Sequence, residues 1–280
     1  MALTTRDVIT QDFVRDTVEE VVESELVYRR AFREIDATGV ESNSYTFNID
    51  NDDMSKPTIV GENEEAPRHQ GTDRQLTVNF EKFMGEVSLT MEAMADGLIE
   101  MKAREIEDLA RKMAERLNEE AYNVLTESID SVGDSNDVLS FSDITEGMKT
   151  LRKRDYRPDL LFVDVEGYVD LLNDDNFNRA TDTGDEVVRS GEVGQIADMT
   201  VVVDSTQEIG TTEDGGTTED SGSSAGAIAV DSTKFGYELT RTPMSTTEYE
   251  EPERQADVVQ AFTRKAWTAI FEDAAVRIDG

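Results

Sequence analysis

The fold depends on the stretch MEAMADGLIEMKAREIEDLARKMAERLNEEAYNVLT, which occupies residues 91–126. Apolar residues recur in it at intervals of three to five positions and form one stripe along its length. The stripe consists of Met91, Met94, Leu98, Met101, Ile106, Leu109, Met113, Leu117, Ala121 and Leu125. The other positions are mostly charged, so the spacing predicts one amphipathic helix on the order of 50 Å long.

A helix of this length is, by itself, typical of a coiled coil or a helical bundle. However, segments with strand-like alternation or short apolar runs lie on both sides of it. These segments are residues 45–49, 76–89, 160–163, 200–203 and 227–230. We therefore predict an α+β chain in which one long helix lies across a sheet. The predicted core residues are Leu98, Leu109, Met113, Leu117 and Trp267.

Acidic residues dominate the composition: 62 Asp and Glu against 27 Lys and Arg give a net charge of −35. Arginines outnumber lysines by 19 to eight. Charges at this density repel one another in dilute buffer, whereas molar salt screens them beyond about 3 Å. We interpret the balance as adaptation to a salt-saturated cytoplasm. The alternative is disorder, which suits the acidity and the low mean hydropathy but not the long periodic helix.

Several classes of protein are excluded by what the sequence lacks. There is no cysteine, which excludes disulfides, thiolate metal sites and cysteine nucleophiles. No apolar run approaches the roughly 18 residues of a membrane span, and the first ten residues lack a signal-peptide core. The overall charge also argues against nucleic-acid binding by counterion release. We predict a soluble protein that does not contact a membrane.

No catalytic, cofactor-binding or metal-binding site is predicted. The single histidine, His69, lies in an acidic polar stretch and is interpreted as a surface residue. The signatures of nucleotide-binding loops, zinc proteases, serine hydrolases and kinases are absent. Residues 50–53 and 173–176 weakly resemble calcium loops, but they lack the glycine and the bidentate glutamate of such a loop.

The first two alternating segments predict a β-hairpin arm. The polar residues between them are too many for a compact hairpin loop. Because a two-stranded ribbon is marginally stable in water, we expect the arm to project and to lie on a neighbouring molecule. The chain would then be a subunit of an assembly. The candidate assembly residues of the arm are Glu62, Glu64, Glu65, Arg68 and Arg74.

The other segments predict three further helices, a buried strand and a closing sheet. A thin apolar stripe predicts an amphipathic helix over 13–32, and a turn is expected at 130–137. Ser140 opens a short helix with a capping-box pattern, and residues 167–172 form another. With a buried central strand at 160–163, they predict a compact α/β subdomain. The tail, 234–276, is expected to add antiparallel strands.

Residues 206–226 differ in composition from everything around them. They comprise five Gly, five Thr, three Ser and five acidic residues, and they contain no Lys or Arg. We expect an exposed, mobile loop, inserted between two apolar runs that a tight turn would otherwise join. A tolerated insertion without a role is the first interpretation. Cation binding or display of a decorating group is the alternative.

This order of parts resembles the major capsid proteins of tailed viruses with the HK97-type fold. The acidic segment GENEEAP at 61–67 and the segment GQIADMTVVV at 194–203 take part in the resemblance. It implies an N-terminal arm (1–42), an extended β-hairpin E-loop (43–90) and a P-domain with a long spine helix (91–139). An α/β A-domain (140–232) and P-domain return strands (233–280) follow.

The resemblance also implies a function without catalysis. Hexamers and pentamers of the chain would form an icosahedral shell around double-stranded DNA, after assembly in the host cytoplasm. The acidity indicates a haloarchaeal host. Implied partners are a portal and scaffold, cement or turret proteins, and a chain starting at Met1 implies a separate scaffold or none. Lys56 lies in the arm, but the Lys–Asn cross-link of the founding member is not transferred to this chain. An encapsulin-type compartment shell and, more distantly, a halophilic enzyme are the alternatives.

Overall fold

The computed structural model describes residues 11–50, 73–90, 99–127, 129–133, 138–174, 195–196, 198–204, 209 and 226–279. The helices are α1 (Gln11–Glu25), α2 (Ile99–Thr126), α3 (Phe141–Lys153) and α4 (Val165–Asn173). The first strands are β1 (Phe32–Asp36), β2 (Ser44–Asp50), β3 (Asp73–Asn79), β4 (Glu81–Thr90), β5 (Asp130–Gly133) and β6 (Leu160–Asp164). The later strands are β7 (Gln195–Ile196), β8 (Met199–Asp204), β9 (Gly226–Val230), β10 (Gly236–Glu251), β11 (Ala256–Ala269) and β12 (Ala275–Asp279).

The described strands form two sheets and a separate two-stranded ribbon. One sheet has the order β1-β10-β11-β4, in which β1 is parallel to β10 and the other pairs are antiparallel. The second has the order β5-β12-β9-β6-β8-β7. Strands β2 and β3 pair with each other to form the ribbon. The fold is therefore a mixed α+β arrangement, as the sequence predicts.

The long helix α2 is buried along one side by its apolar stripe. Its described inward residues are Ile106, Leu109, Met113, Leu117, Ala121 and Leu125, all at most 8% exposed. The same hydrophobic cluster contains Phe83 and Trp267 from the four-stranded sheet and Phe162 and Ile228 from the six-stranded sheet. The helix thus connects the cores of both sheets. Residues 91–98, including the predicted core residue Leu98, lie outside the described residues.

A glycine in β4 sets the distance between α2 and the four-stranded sheet. A Cβ at Gly85 would lie 2.6 Å from Cδ1 of Leu109, closer than side chains approach one another. The missing side chain therefore lets Leu109 pack directly on the strand backbone. The opposite side of α2 carries charged pairs such as Lys112–Glu115 and Arg116–Glu119, each 2.6 Å apart.

The N-terminal segment differs from the predicted helix over 13–32. Helix α1 ends at Glu25, a 3-10 turn covers Tyr28–Ala31, and Phe32 begins β1. Strand β1 adds to the edge of β10 in parallel register, with Phe32 opposite Gly236. The apolar stripe of this segment is too thin to stabilise a longer helix. Backbone hydrogen bonds to β10 and the burial of Phe32 in the core favour a strand instead.

The alternating segment 76–89 is two strands and not one. The break falls at Phe80, which is 5% exposed and whose backbone N–H donates to the carbonyl oxygen of Asn43. Strand β3 stays in the ribbon, whereas β4 pairs along its whole length with β11. Only β2 and β3 therefore form the ribbon, whereas β4 belongs to the four-stranded sheet.

The six-stranded sheet contains segments that were predicted to lie elsewhere in the fold. Residues 130–133 were expected in a turn but form β5, and β12 at the end of the tail pairs with both β5 and β9. Strand β6 lies between β8 and β9, so residues 200–203 and 227–230 are not hairpin neighbours. The prediction of a buried central strand at 160–163 is confirmed, because β6 has neighbours on both sides.

Two helix predictions in this region are confirmed, and one loop prediction is partly wrong. The Ser140 hydroxyl caps α3 together with the Asp143 carboxylate, and α4 covers the predicted helix at 167–172. Of residues 206–226, only Ile209 and Gly226 lie in the described part of the chain. Ile209 is 1% exposed in the main core, so the segment is not entirely exposed.

The substitution Leu109→Asp should prevent folding. It places a carboxylate without a partner between α2 and the backbone of β4, at a cost of about 4 kcal/mol or more. We expect the variant to lack the cooperative unfolding transition of the parent in circular dichroism. Glu107→Lys is the control on the same helix, because Glu107 is exposed and its reversal should leave folding intact. A folded Leu109→Asp variant with the parental midpoint would show that the stripe is placed wrongly.

Candidate assembly surfaces

The N-terminal segment, residues 11–36, is held to the body by a buried polar side chain of α2. Asn118 is 4% exposed. Its Oδ1 accepts a 2.9 Å hydrogen bond from the Val27 N–H, and its Nδ2 donates a 2.7 Å bond to the carbonyl oxygen of Glu25. One side chain thus satisfies the backbone where α1 ends. Sequence reasoning missed Asn118, although a polar residue beside the stripe was a signal.

An aromatic cluster fixes the same segment to the six-stranded sheet. The Tyr28 ring lies 5.2 Å from the ring of Tyr122 on α2 and 5.1 Å from the ring of Phe162 on β6. Burial raises the pKa of Tyr28 well above its ordinary value of 10.0, and the adjacent carboxylate of Asp204 raises it further. Tyr28 therefore keeps its proton to a higher pH in the folded protein than in the unfolded chain.

A buried ion network joins the segment to the four-stranded sheet. Glu238 on β10 is 0% exposed, and its carboxylate lies 2.5 Å from Nζ of Lys265 and 3.0 Å from Nε of Arg29. Burial would lower the pKa of Arg29, but the carboxylates of Glu238, Glu34 and Glu23 outweigh it and raise that pKa. Each oxygen of the buried Glu238 carboxylate faces its own cation, so removing either cation would leave one oxygen without its partner, and the network fixes the position of the segment.

The ribbon packs on the four-stranded sheet of its own chain. Phe47 of β2 stacks on Tyr237 of β10, with ring centroids 5.4 Å apart and an angle of 11° between the planes. Tyr45 and Val78 pack against the cluster that contains Leu239 and Ala266. The described part of the arm therefore does not project freely, contrary to the sequence-based expectation. Its alternating face finds a partner within the subunit.

The predicted assembly residues of the arm are only partly visible. Glu62, Glu64, Glu65 and Arg68 lie outside the described residues, as do His69 and Lys56. Arg74 is exposed in β3, at the start of the strand that returns from that region. It lines a cleft between the ribbon and the body together with Leu76, Phe235, Trp267 and Glu272. The cleft places Arg74 beside the body of the same chain.

The six-stranded sheet carries α3 and α4, and α4 has an apolar side whose residues are nearly half exposed. Its Gly167 and Leu171 are buried, whereas Val165, Val169 and Leu172 on the other side are 46%, 48% and 41% exposed. Val138, just before α3, is 57% exposed. Exposed apolar side chains at helical spacing indicate a contact surface.

The buried carboxylates in the described part of the chain have structural partners. Asp164 caps α4 by accepting a hydrogen bond from the Gly167 N–H, and it accepts another from the Gly226 N–H of β9. Burial raises its pKa, and these hydrogen bonds oppose the rise. Among the described residues no group of three or more acidic or histidine side chains could hold a metal ion. None of the described helices has the length and apolarity needed to cross a membrane.

Comparisons with known proteins agree with this architecture. Residues 74–278 match a family model described as phage capsid protein. No curated protein sequence matches the chain significantly. The fold is similar to the capsid structure of the cyanophage P-SCSP1u, with a TM-score of 0.68 and 9% identity over 89% of this chain and 86% of that one. It is also similar to a structure of Mycobacterium phage Che8, with a TM-score of 0.66 and 11% identity over 90% of each chain.

A third similar structure is a virus-like particle from Pyrococcus furiosus. Its TM-score is 0.59 at 9% identity, and the match covers 95% of this chain and 98% of that one. Identities this low establish the fold alone. That fold is the HK97-like capsid fold, and the family match makes the protein a structural one and not an enzyme.

Loss of the Asn118 side chain should loosen the N-terminal segment without unfolding the body. Asn118→Ala leaves the Val27 N–H and the Glu25 carbonyl without partners, a cost of about 1–3 kcal/mol. We expect faster amide exchange and faster proteolysis within residues 11–36. Asn123→Ala is the matched control, because Asn123 is an exposed asparagine on the same helix. Equal exchange in both variants would contradict the anchoring role.

Tyr28 should make the protein sensitive to alkali. Above about pH 10 the unfolded chain loses the Tyr28 proton while the folded chain keeps it, so stability falls as pH rises by about 1.4 kcal/mol per unit. Tyr28→Phe removes this contribution. Denaturant unfolding of both proteins between pH 8 and 11 should give a difference in free energy that is flat below about pH 10 and changes above it in favour of the variant. A difference that is constant with pH would refute the buried, neutral assignment.

Proposed function

The chain belongs to the phage capsid protein family, and we propose that it is the major capsid protein of a tailed virus that infects haloarchaea. Capsid proteins of this family form the shell of the virion. The observation that carries the proposal is the family match over residues 74–278 on an HK97-like fold. The net charge of −35 supports the haloarchaeal host, because such a surface is suited to molar salt.

The domains of the capsid fold correspond to the described elements with two changes from the sequence-based limits. We assign the four-stranded sheet and α2 to the P-domain, and the six-stranded sheet with α3 and α4 to the A-domain. Strand β4 then leaves the E-loop for the P-domain, and β5 and β12 join the A-domain. The N-terminal arm is the segment that Asn118, Tyr28 and Glu238 fix to both sheets.

Assembly is the proposed mechanism. Hexamers and pentamers arise when one surface of a subunit binds a different surface of its neighbour and the ring closes. We propose that the E-loop residues Glu62, Glu64, Glu65, Arg68 and Arg74 contact a neighbouring subunit. The described base of the ribbon supports this, since its packing on the body gives the rest of the loop a fixed starting point.

The shell would enclose double-stranded DNA, and its acidity has a consequence for that interior. Carboxylates and phosphates repel one another, so condensed cations must lie between protein and genome. We propose further partners by analogy with the family: a portal, and scaffold, cement or turret proteins. Assembly would take place in the host cytoplasm.

A cellular compartment shell of the encapsulin type is the second candidate. The similarity to the virus-like particle from Pyrococcus furiosus is the observation that favours it. The two proposals differ in what the particle holds. Particles purified from the native source contain packaged double-stranded DNA in the first case and a cargo enzyme in the second.

Purified protein should form closed, hollow shells in concentrated KCl, visible by electron microscopy. Dilution of the salt should release subunits, because mutual repulsion of the acidic subunits is then no longer screened. Adding Mg²⁺ at constant ionic strength should restore particles and retain genome in native virions, if cations bridge the interior carboxylates. A stable monomer at every salt concentration would refute the capsid proposal. Shells that persist in dilute buffer would refute only the haloarchaeal part of it.

A further inference from the structure

The exposed apolar side of α4 and a basic segment at the far end of α3 are complementary surfaces. We propose that they bind each other between neighbouring copies of this chain, in a head-to-tail contact that closes the capsomer ring. The inference rests on the proposed shell-forming function and names the surfaces that the ring would use. We call the first surface the α4 stripe (Val165, Val169 and Leu172) and the second the basic segment (residues 149–157).

The α4 stripe has an acidic border. Glu166 is exposed on the same helix, and Asp170 and Asp174 lie one and two turns further on. The Asp170 carboxylate accepts a hydrogen bond from the Leu139 N–H and the Asp174 carboxylate one from the Phe141 N–H. These bonds place the acidic border at the start of α3. A partner for this surface must therefore offer apolar contact together with positive charge.

The basic segment is exceptional in this chain. Five of the 27 basic residues, Lys149, Arg152, Lys153, Arg154 and Arg157, lie within nine positions that contain a single acid, Asp155. The net charge of −35 for the whole chain gives no sign of this cluster of basic residues. A favourable interaction with the α3 dipole accounts for Arg152 and Lys153, which lie in the last turn, but not for Arg157 beyond it.

Arg154 of this segment is engaged by its own chain, in ion pairs with Asp130 at 2.5 Å and Asp273 at 3.3 Å. The other four cations form at most weak pairs with described residues. Lys149 lies 3.6 Å from Glu146, and Arg152 lies 3.6 Å from Asp198, in pairs whose side chains are all more than half exposed. Such exposed ion pairs contribute little to stability. Lys153 and Arg157 are also exposed. These cations can leave their exposed ion pairs and bind carboxylates of another copy with little loss of stability.

The geometry of α3 prevents the two surfaces from meeting within one chain. The acidic border lies at the first residue of α3, and Lys153 of the basic segment is the last residue of this 13-residue helix, about 18 Å away. Two complementary surfaces at opposite ends of one layer favour a heterologous contact, in which each copy uses both. Such a contact generates a ring when the rotation between neighbours closes.

The test is a charge swap in the full-length chain, at the lowest salt concentration at which the parent assembles. Glu166→Lys and Lys153→Glu should each raise the protein concentration needed for half-assembly, by about three- to tenfold, measured by sedimentation velocity. The double variant Glu166→Lys/Lys153→Glu should return that concentration to within about threefold of the parent. The matched control combines Glu166→Lys with Lys112→Glu, a reversal on α2, and should not recover.

The apolar part of the contact is tested by Val169→Asp and by the milder Val169→Ser. Val169 is 48% exposed, so both variants should keep the parental unfolding midpoint. Val169→Asp should raise the concentration for half-assembly by about tenfold or more, and Val169→Ser by less. Either effect without a loss of stability supports a contact between copies.

Three outcomes would overturn the inference while leaving the proposed function intact. In the first, the double variant Glu166→Lys/Lys153→Glu does not recover assembly. In the second, the Val169 variants assemble like the parent. In the third, Lys153→Glu leaves assembly unchanged and lowers DNA retention. The last result would assign the basic segment to the genome. If the parent chain itself forms no particles at any salt concentration, the proposed function fails and this inference fails with it.

Discussion

The burial of the α2 stripe is the interaction on which the rest of the structure depends. Its apolar side chains share one cluster with residues of both sheets, so the two sheets have a common core along one helix. Burial of apolar surface contributes about 25 cal/mol per Å², so this shared core stabilises both sheets together. Gly85 brings the helix onto the strand backbone at one end of this core.

The N-terminal segment illustrates how polar groups add specificity to that core. Asn118, Tyr28 and Glu238 are each buried, and each bonds or packs across more than one element. A buried polar group is costly without its partners, so it admits one position of the segment and penalises the others. The hydrophobic stripe holds the segment near the body, and these three residues determine where it lies. The proposed ring contact combines the same two kinds of interaction: an apolar stripe for attachment and a charged border for position.

The chain combines extreme acidity with local exceptions that carry structural information. The net charge of −35 describes the average surface and supports a salt-rich environment. Lys265, Arg29 and the basic segment at 149–157 depart from it. Because acidic residues outnumber basic ones by 62 to 27, a buried lysine or a run of cations departs from the average of the chain. Such positions are therefore the most informative about contacts within and between subunits.

The elements that depend on local periodicity could be predicted from the sequence. The long helix, the capped helix after Ser140, the central strand at 160–163 and the α+β class all follow from spacing and capping, which act within a few residues. The sequence could not determine strand partners: β4, β5 and β12 join sheets far from their expected places because pairing is decided by backbone hydrogen bonds between distant segments. The burial of Asn118 and Ile209, and the separation of the α4 stripe from the basic segment, were likewise decided only by tertiary structure. Long-range contacts alone establish which side of a helix is covered and which charge remains available to another copy.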